Sequence, residues 1–287
     1  IDTQSQSVSV LSQQVSVLSQ AHSALSQAVS VMAQVWRVQG LSAANNATSA
    51  DSKYSMAADA AVFYTPTTGR TARAISVVAV VNDTNLSAAG GDNGRDQALA
   101  FGANSWVHFY LVLDGATVKS RSSATAPPTG PTLQGTESAW AYCGAIRYNG
   151  SSILVRTRMR GAWMLYDQYQ FALANGAATT ETAIDLASFI PPNASKVQIY
   201  SDLRVSTGLN GIGFPYTLIR AVSGSDNALA ITLAKAVLTD IAIGSVTGIL
   251  ANTAQTLYYL IVEVGDGSDT TTLNVNIMGY VVPNGDA

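Results

Sequence analysis

Between Ser7 and Trp36 apolar residues return every three and four positions, inside a seven-residue unit, Val-x-Val-Leu-Ser-Gln-x, that recurs four times with substitutions. With Val8 at heptad position a, the a column is Val8, Val15, His22, Val29 and Trp36, and the d column is Leu11, Leu18, Leu25 and Met32. Position b is always serine and position f always glutamine. A sustained apolar a/d seam with a polar outer edge predicts a helix that coils around copies of itself, because one such helix cannot bury its own stripe. Ser7–Val10 alternates with period two, as a strand would, but the alternation breaks at each Val-Leu pair while the heptad holds. No Asp, Glu, Lys or Arg occurs from Thr3 to Trp36, so ion pairs cannot set partner or register. Serine and β-branched valine are also mediocre helix formers. The expectation is a stalk held in register by the large domain after it. Valine at a with leucine at d favours two strands. A second apolar column at c (Val10, Val17, Ala24, Val31) widens the buried face and argues for three. His22 is read as a polar register-fixing residue in the seam, with a metal or pH role as the alternative.

The repeat fades after Trp36. Gly40 is read as a helix stop and 41–52, rich in Ala, Asn and Ser, as a linker or neck. The expected organisation is a coiled-coil stalk over 1–40, a neck over 41–52, a first β-rich domain over 53–175 and a second β-sandwich over 176–287. Strand patterns occur at Ala74–Val81, Trp106–Leu113 (closed by Asp114-Gly115), Trp140–Tyr148 and Trp163–Leu173. Asn149-Gly150 predicts a type I′ turn joining Trp140–Tyr148 to a strand over Ser151–Arg160. Beyond a Gly/Thr/Ala break near Ala174–Thr182, strands are expected at Ile184–Ile190, Val197–Val205, Pro215–Val222, Leu229–Leu233, Leu257–Val264 and Leu273–Val282, with a helical turn within Ala234–Ala242. The fold class expected is mainly β, two sandwich or jelly-roll units on an α-helical stalk.

Composition removes several function classes. The 287 residues include only 11% charged and 47% hydrophobic ones. Against 18 Asp+Glu, 15 Lys+Arg leave no basic excess for nucleic acid. The apolar runs, Ala74–Val81 among the longest, fall short of a membrane span. The polar, heptad-patterned N-terminus lacks the character of a secretory signal. One cysteine, Cys143, excludes an intrachain disulfide and reads as a small core residue.

Candidate chemistry is sparse. With two histidines, His22 and His108, a histidine metal cluster is not expected, and no catalytic motif or cofactor fingerprint occurs. The chain is therefore read as a non-enzyme without a cofactor. A glycosidase carboxylate pair needs no local motif, so glycan cleavage stays open as a third reading. Asp92, Asn93 and Asp96 form one acidic loop and Asp266 to Asp269 another; solvated turns are preferred to hard-cation sites. Arg156, Arg158 and Arg160 alternate along a strand, suited either to an acidic glycan or to acidic and carbonyl groups of a neighbouring subunit. Trp106, Tyr110, Trp140, Tyr142, Trp163, Tyr166 and Tyr169 are expected mostly in core or interface.

Three regions carry a resemblance. Ser123-Ala124-Thr125-Ala126-Pro127-Pro128, Gly130-Pro131-x-Leu133 and Cys143-Gly144-Ala145-Ile146-Arg147-Tyr148-Asn149-Gly150 resemble a module of fibre proteins of tailed bacteriophages. Ile184–Ser195 resembles the opening of a β-sandwich that often comes next, and Gly279–Gly285 resembles the ending of such virion proteins. The resemblance covers roughly Asp51 to the C-terminus. It implies a homotrimeric fibre with a coiled-coil shaft and β-rich heads; such a fibre is expected on the virion surface, joined to other virion proteins through its N-terminal end and contacting a host surface glycan or protein. A decorative head or collar fibre is the alternative. An N-terminal anchor would place the second unit outermost, with Asn210 and Phe214, Asp226, and Asp266 and Asp269 on its ligand loops. The same loops would serve equally to pack neighbouring subunits.

Overall fold

Alternation of core-facing and outward side chains organises the described residues into sixteen strands. The computed structural model describes residues 13–16, 19, 38–68, 71–88, 91–206, 216–221, 223, 228–232, 239–250, 255–262 and 270–283. The strands are β1 (Val38–Gln39), β2 (Ser42–Asn45), β3 (Lys53–Tyr64), β4 (Thr71–Asp83), β5 (Trp106–Asp114), β6 (Thr117–Ser123), β7 (Glu137–Arg147) and β8 (Thr157–Arg160). They continue as β9 (Trp163–Gly176), β10 (Thr182–Asp185), β11 (Lys196–Ser206), β12 (Tyr216–Arg220), β13 (Ala228–Thr232), β14 (Thr239–Leu250), β15 (Thr256–Val262) and β16 (Thr270–Val281). The fold is mainly β, and every strand pair is antiparallel. One sheet of twelve strands takes the path β14-β11-β16-β9-β8-β2-β3-β7-β5-β6, with β1 and β4 added on β3; a four-stranded sheet runs β10-β15-β12-β13.

Of the heptad segment, residues 13–16 and 19 are described; they are helical and exposed. The seam positions Val8, Leu11, Leu18, His22, Leu25, Val29, Met32 and Trp36 lie outside the described residues. The neck reading of 41–52 is corrected. Val38 and Leu41 are buried, Ala43 joins them in the core, and β1 and β2 both pair with β3 (Val38↔Ala61, Ser42↔Ala57). Gly40 (φ 64°) turns the chain between these two strands.

The core is densest where β7 and β5 meet. Ala139 to Ile146 is buried at every position, as is Val107 to Val112, so both strands are covered on both faces. Aromatic rings interlock there: Tyr110 meets Trp140 edge-on at 5.2 Å and Tyr142 at 5.2 Å, and Tyr54 meets Phe109 at 4.8 Å. Such contacts add to an already large burial term. The ladder slips twice: between Leu113↔Ala139 and Asp114↔Glu137, leaving Ser138 as an extra residue on β7, and between Phe109↔Gly144 and Tyr110↔Tyr142, leaving Cys143. Gly144 takes φ 147° there, a conformation side chains disfavour. Burial pushes the Cys143 thiol up to about 12, so almost no thiolate exists at neutral pH. The native protein is expected to resist a disulfide thiol reagent at pH 7.5 and to react stoichiometrically once unfolded in guanidinium; rapid labelling of the native state would contradict this burial.

The Asp114-Gly115 hairpin is present as its sequence predicts: β5 and β6 pair from His108↔Ser123 to Asp114↔Thr117, and Gly115 has φ 58°. The Asn149-Gly150 hairpin is corrected. Asn149 Oδ1 accepts from the backbone N–H of Ser151 (2.9 Å) and Ile153 (3.2 Å), and the positive φ falls on Ser152 (57°). The side chain thus makes an Asx-type turn of its own. The chain closes on β7 only through Tyr148↔Leu154 and the Val155 N–H to Arg147 carbonyl bond, then leaves to pair with β9 and β2. The strand expected over Ile184–Ile190 stops at Asp185, whose Oδ1 accepts from Ala187 N and turns the chain. Of the expected helical turn within Ala234–Ala242, residues 239–242 belong to β14.

One core crosses position 175/176, where a domain boundary was expected. β9 runs through it and pairs with β16. Tyr280 Oη donates to the Ala145 carbonyl at 2.6 Å, Tyr166 Oη to that of Phe189 at 2.5 Å, and Trp106 Nε1 to that of Ala187 at 3.1 Å. The four-stranded sheet contributes Ile184, Ile219, Leu257, Tyr259 and Ile261 to the same cluster as Val197, Ile199, Val275 and Ile277.

Candidate functional site

The site begins with an irregularity in β9. Its hairpin with β8 is regular, from Thr157↔Tyr166 to Arg160↔Trp163 around Gly161 (φ 55°). Against β16, Leu165 pairs with Gly279 and Gln170 with Ile277, so four residues of β9 face the single residue Met278. Asp-Gln-Tyr, the polar interruption of an otherwise apolar strand, is extruded as a wide bulge. The Asp167 N–H donates to the Arg156 carbonyl (3.1 Å), tying the bulge to the segment that enters β8.

A cleft of about 550 Å³ opens between this bulge and the Asn149–Arg156 turn. Ile153, Val155 and the buried Leu154 are its apolar lining residues; Asp51, Asn149, Arg156, Asp167, Gln168 and Gln170 are its polar ones. The wall is held from behind. The Leu154 N–H donates to the Asp51 carbonyl at 2.8 Å, and the Asn149 carboxamide oxygen is occupied by its own turn. Gln170 Nε2 donates to the Gln168 carbonyl at 2.7 Å, and Asp167 Oδ1 lies 3.8 Å from Arg158 Nε. The remaining groups, Asn149 Nδ2, Gln170 Oε1, the Gln168 amide, the Asp51 carboxylate and the Arg156 guanidinium, have no protein partner among the described residues. Donors and acceptors thus line the cleft together with apolar side chains, the usual composition of a small-molecule site.

The arginine row is thereby divided. Arg156 precedes β8 and lines the cleft, while Arg158, exposed, reaches Asp167 within the same chain. The side chain of Arg160 lies outside the described residues.

Of the seven aromatics expected mostly in core or interface, only Tyr169 is exposed in the single chain. Tyr110, Trp140, Tyr142 and Tyr166 are buried, and Trp106 is anchored by its indole N–H. Trp163 is half-buried at the β8–β9 turn. Tyr169 is 55% exposed and Phe171 65% exposed, on the face of β9 opposite the core. Tyr169 contacts Phe171 and stacks on Tyr200 of β11, each at 6.0 Å. Phe171 and Tyr200 both pair across Asn276 of β16. Phe171 and Tyr200 were not singled out by sequence; a Tyr-x-Phe alternation in a bulged strand was the available signal.

The loop of Asp92, Asn93 and Asp96 is neither a cation cage nor a plain solvated turn. Asp92 Oδ1 accepts from Lys119 Nζ (2.8 Å), Asn93 Oδ1 from Ser120 N (2.8 Å), and the buried Asp96 from Thr132 N (2.9 Å). These oxygens stitch the loop to β6 and its neighbours. Hydrogen bonds from Lys119 and Thr136 hold the Asp114 carboxyl below the usual carboxylate range, and the Asp114 and Asp92 bonds raise Lys119 in turn. Among the described residues no group of three or more His, Cys, Asp or Glu side chains is placed to hold a metal. Asn210, Phe214, Asp226, Asp266 and Asp269 lie outside the described residues.

No protein-family model matches the chain, and no curated protein does. Among solved structures, Arthrobacter globiformis T6 isomalto-dextranase complexed with panose aligns at 11% identity and a TM-score of 0.19, over 80% of this chain and 35% of that one. At that score the likeness carries no argument about fold family or activity.

Proposed function

We propose that this chain is a structural fibre protein of a tailed bacteriophage: a homotrimer with a coiled-coil stalk and a β-rich head that attaches the virion to the host cell surface. One observation supports it above the others. Val15, an a-position residue on a helical stretch, is 61% exposed in the single chain, within a repeat whose seam is almost wholly apolar. An apolar seam left in water is stabilised when copies of the chain come together. The broad c column favours three copies. The head supplies what a poor helix needs, a rigid base from which Val38 and Leu41 already enter the core. The absence of stalk charges leaves register to that base.

The stalk of a trimer spanning residues 8–36 would extend about 43 Å. Sedimentation equilibrium of the full chain at micromolar concentration is expected to give three times the chain mass. A synthetic peptide of residues 1–40 is expected to be largely unordered by circular dichroism at tens of micromolar. A monomeric full chain would overturn the fibre reading, and a stable helical peptide oligomer would overturn the stalk's dependence on the head.

A further inference from the structure

We infer that the cleft between the Asn149–Arg156 turn and the β9 bulge is a binding site for a neutral saccharide. The inference rests on the attachment reading and names the ligand chemistry of one surface of the head.

The chemistry of the wall selects the ligand. A hydroxyl group both donates and accepts, so a polyol is satisfied by a wall that mixes donors with acceptors. This cleft does so: Arg156 and Asn149 Nδ2 donate, the Asp51 carboxylate and Gln170 Oε1 accept, and the Gln168 amide does both. The half-buried Ile153 and Val155 suit the C–H face of a sugar ring.

Charge balance disfavours the acidic glycan that the alternating arginines would otherwise suit. The cleft holds Asp51 and Asp167 against Arg156, and Arg158 beside it is 3.8 Å from the same Asp167. A carboxylated or sulfated sugar would meet the Asp51 carboxylate as well as the Arg156 guanidinium, since Asp167 and Arg158 lie against each other, so the cleft offers an anion no net positive charge. Like charges placed together in a partly desolvated site are repulsive, so the wall disfavours anions. The volume, about 550 Å³, lies within the range of small-ligand sites and accommodates a short oligosaccharide rather than a polymer domain or a peptide helix. The wall is also prepared in advance. The Asn149 turn, the Leu154 to Asp51 bond and the Asp167 to Arg156 bond fix the backbone beneath these groups, which limits the ordering cost of binding.

The test uses the full chain on an array of neutral hexose and 6-deoxyhexose oligosaccharides, with uronic-acid oligosaccharides as the charged comparison. Binding to one or more neutral oligosaccharides and to no uronate is expected. Arg156→Ala and Gln168→Ala, both at exposed positions, are each expected to weaken that binding at least about tenfold while leaving the melting temperature unchanged. Asp92→Ala, in a loop away from the cleft, is expected to leave it unaltered. Failure to bind any neutral oligosaccharide, preference for uronates, or undiminished binding in both cleft variants would overturn the inference. Sedimentation of the same samples separates the two readings: a trimer that fails on the array keeps the fibre and loses the cleft, whereas a monomer that binds keeps the cleft and loses the fibre.

Discussion

Gly130→Ala is expected to destabilise the protein by roughly 2–4 kcal/mol, the sum of a backbone and a steric effect. Gly130 sits at φ 74°, where a side chain is disfavoured, and its N–H donates to the Ala126 carbonyl at 3.2 Å to close the turn. An added Cβ would lie 2.7 Å from Nε1 of Trp140 and closer still to the ring carbons. The indole has nowhere to go. It is 0% exposed, with Tyr110 against one side at 5.2 Å and Tyr64 against another at 5.6 Å. Close-packed interiors relieve such overlap only by off-rotamer or backbone shifts. Gly135 provides the control: its φ is 57°, but no atom stands within 4 Å of an added Cβ. Gly135→Ala should show the backbone penalty alone, about 1 kcal/mol. Urea denaturation of the three proteins checks this. Equal midpoints for the two variants would mean that Trp140 does yield.

Stability is also expected to fall on acidification from pH 6.5 to about 4, through His108. The imidazole is 3% exposed on β5, its Nδ1 3.0 Å from Tyr142 Oη. That hydroxyl already accepts from Asn193 Nδ2 at 3.0 Å, which leaves its own proton for the neutral ring. Burial lowers the His108 pKa from 6.5 to about 4. The sign is set by proton uptake. Below pH 6.5 the unfolded chain binds a proton that the folded chain refuses, so acid favours unfolding; below about 4 both states are protonated and the dependence levels off. At its steepest the loss is about 1.4 kcal/mol per pH unit, with an upper total of about 3 kcal/mol. Above pH 6.5 this group contributes no slope. Unfolding in urea at pH 7.0 and pH 5.0 should show a smaller gap between the two in His108→Gln than in the parent. An identical gap would mean that the buried imidazole is not what senses acid.

Trp140 and His108 both lie on strands that the sequence disclosed, and the reason is that their cues are local. Trp106–Leu113 has large apolar residues at successive positions and ends in Asp114-Gly115, so its burial on both faces and its hairpin could be read from a dozen residues. By contrast β3 escaped notice. Its buried positions include Ala58, Ala60 and Ala61, small residues that give little alternating contrast although Tyr54, Met56 and Phe63 frame them. Asn149-Gly150 was recognised as a turn but given the wrong geometry, because the Asn149 side chain, not a positive φ at Gly150, makes the turn. The cleft was illegible for a different reason. Asp51 had been assigned to a neck, and only the fold brings it beside Asp167 of a bulge that arises from pairing with β16. The exposed ring of Tyr169 likewise reaches the half-buried Tyr200 only through that non-local pairing.

The same strand, β16, sets a condition on biosynthesis. It lies between β9 and β11, and within the twelve-stranded sheet it is the splice that joins β14-β11 to everything from β9 onward. As the polypeptide leaves the ribosome, β9 and β11 emerge long before Thr270, each with an unpaired ladder edge facing a vacant slot. A nascent chain that ends short of Val281 cannot fill that slot fully. Early termination would therefore yield two partial sheets with sticky margins, not a shortened head, and such products would be prey for proteases or aggregation before they met a neighbouring subunit. Placing β16 between two strands made before it makes synthesis through Val281 a prerequisite for joining them.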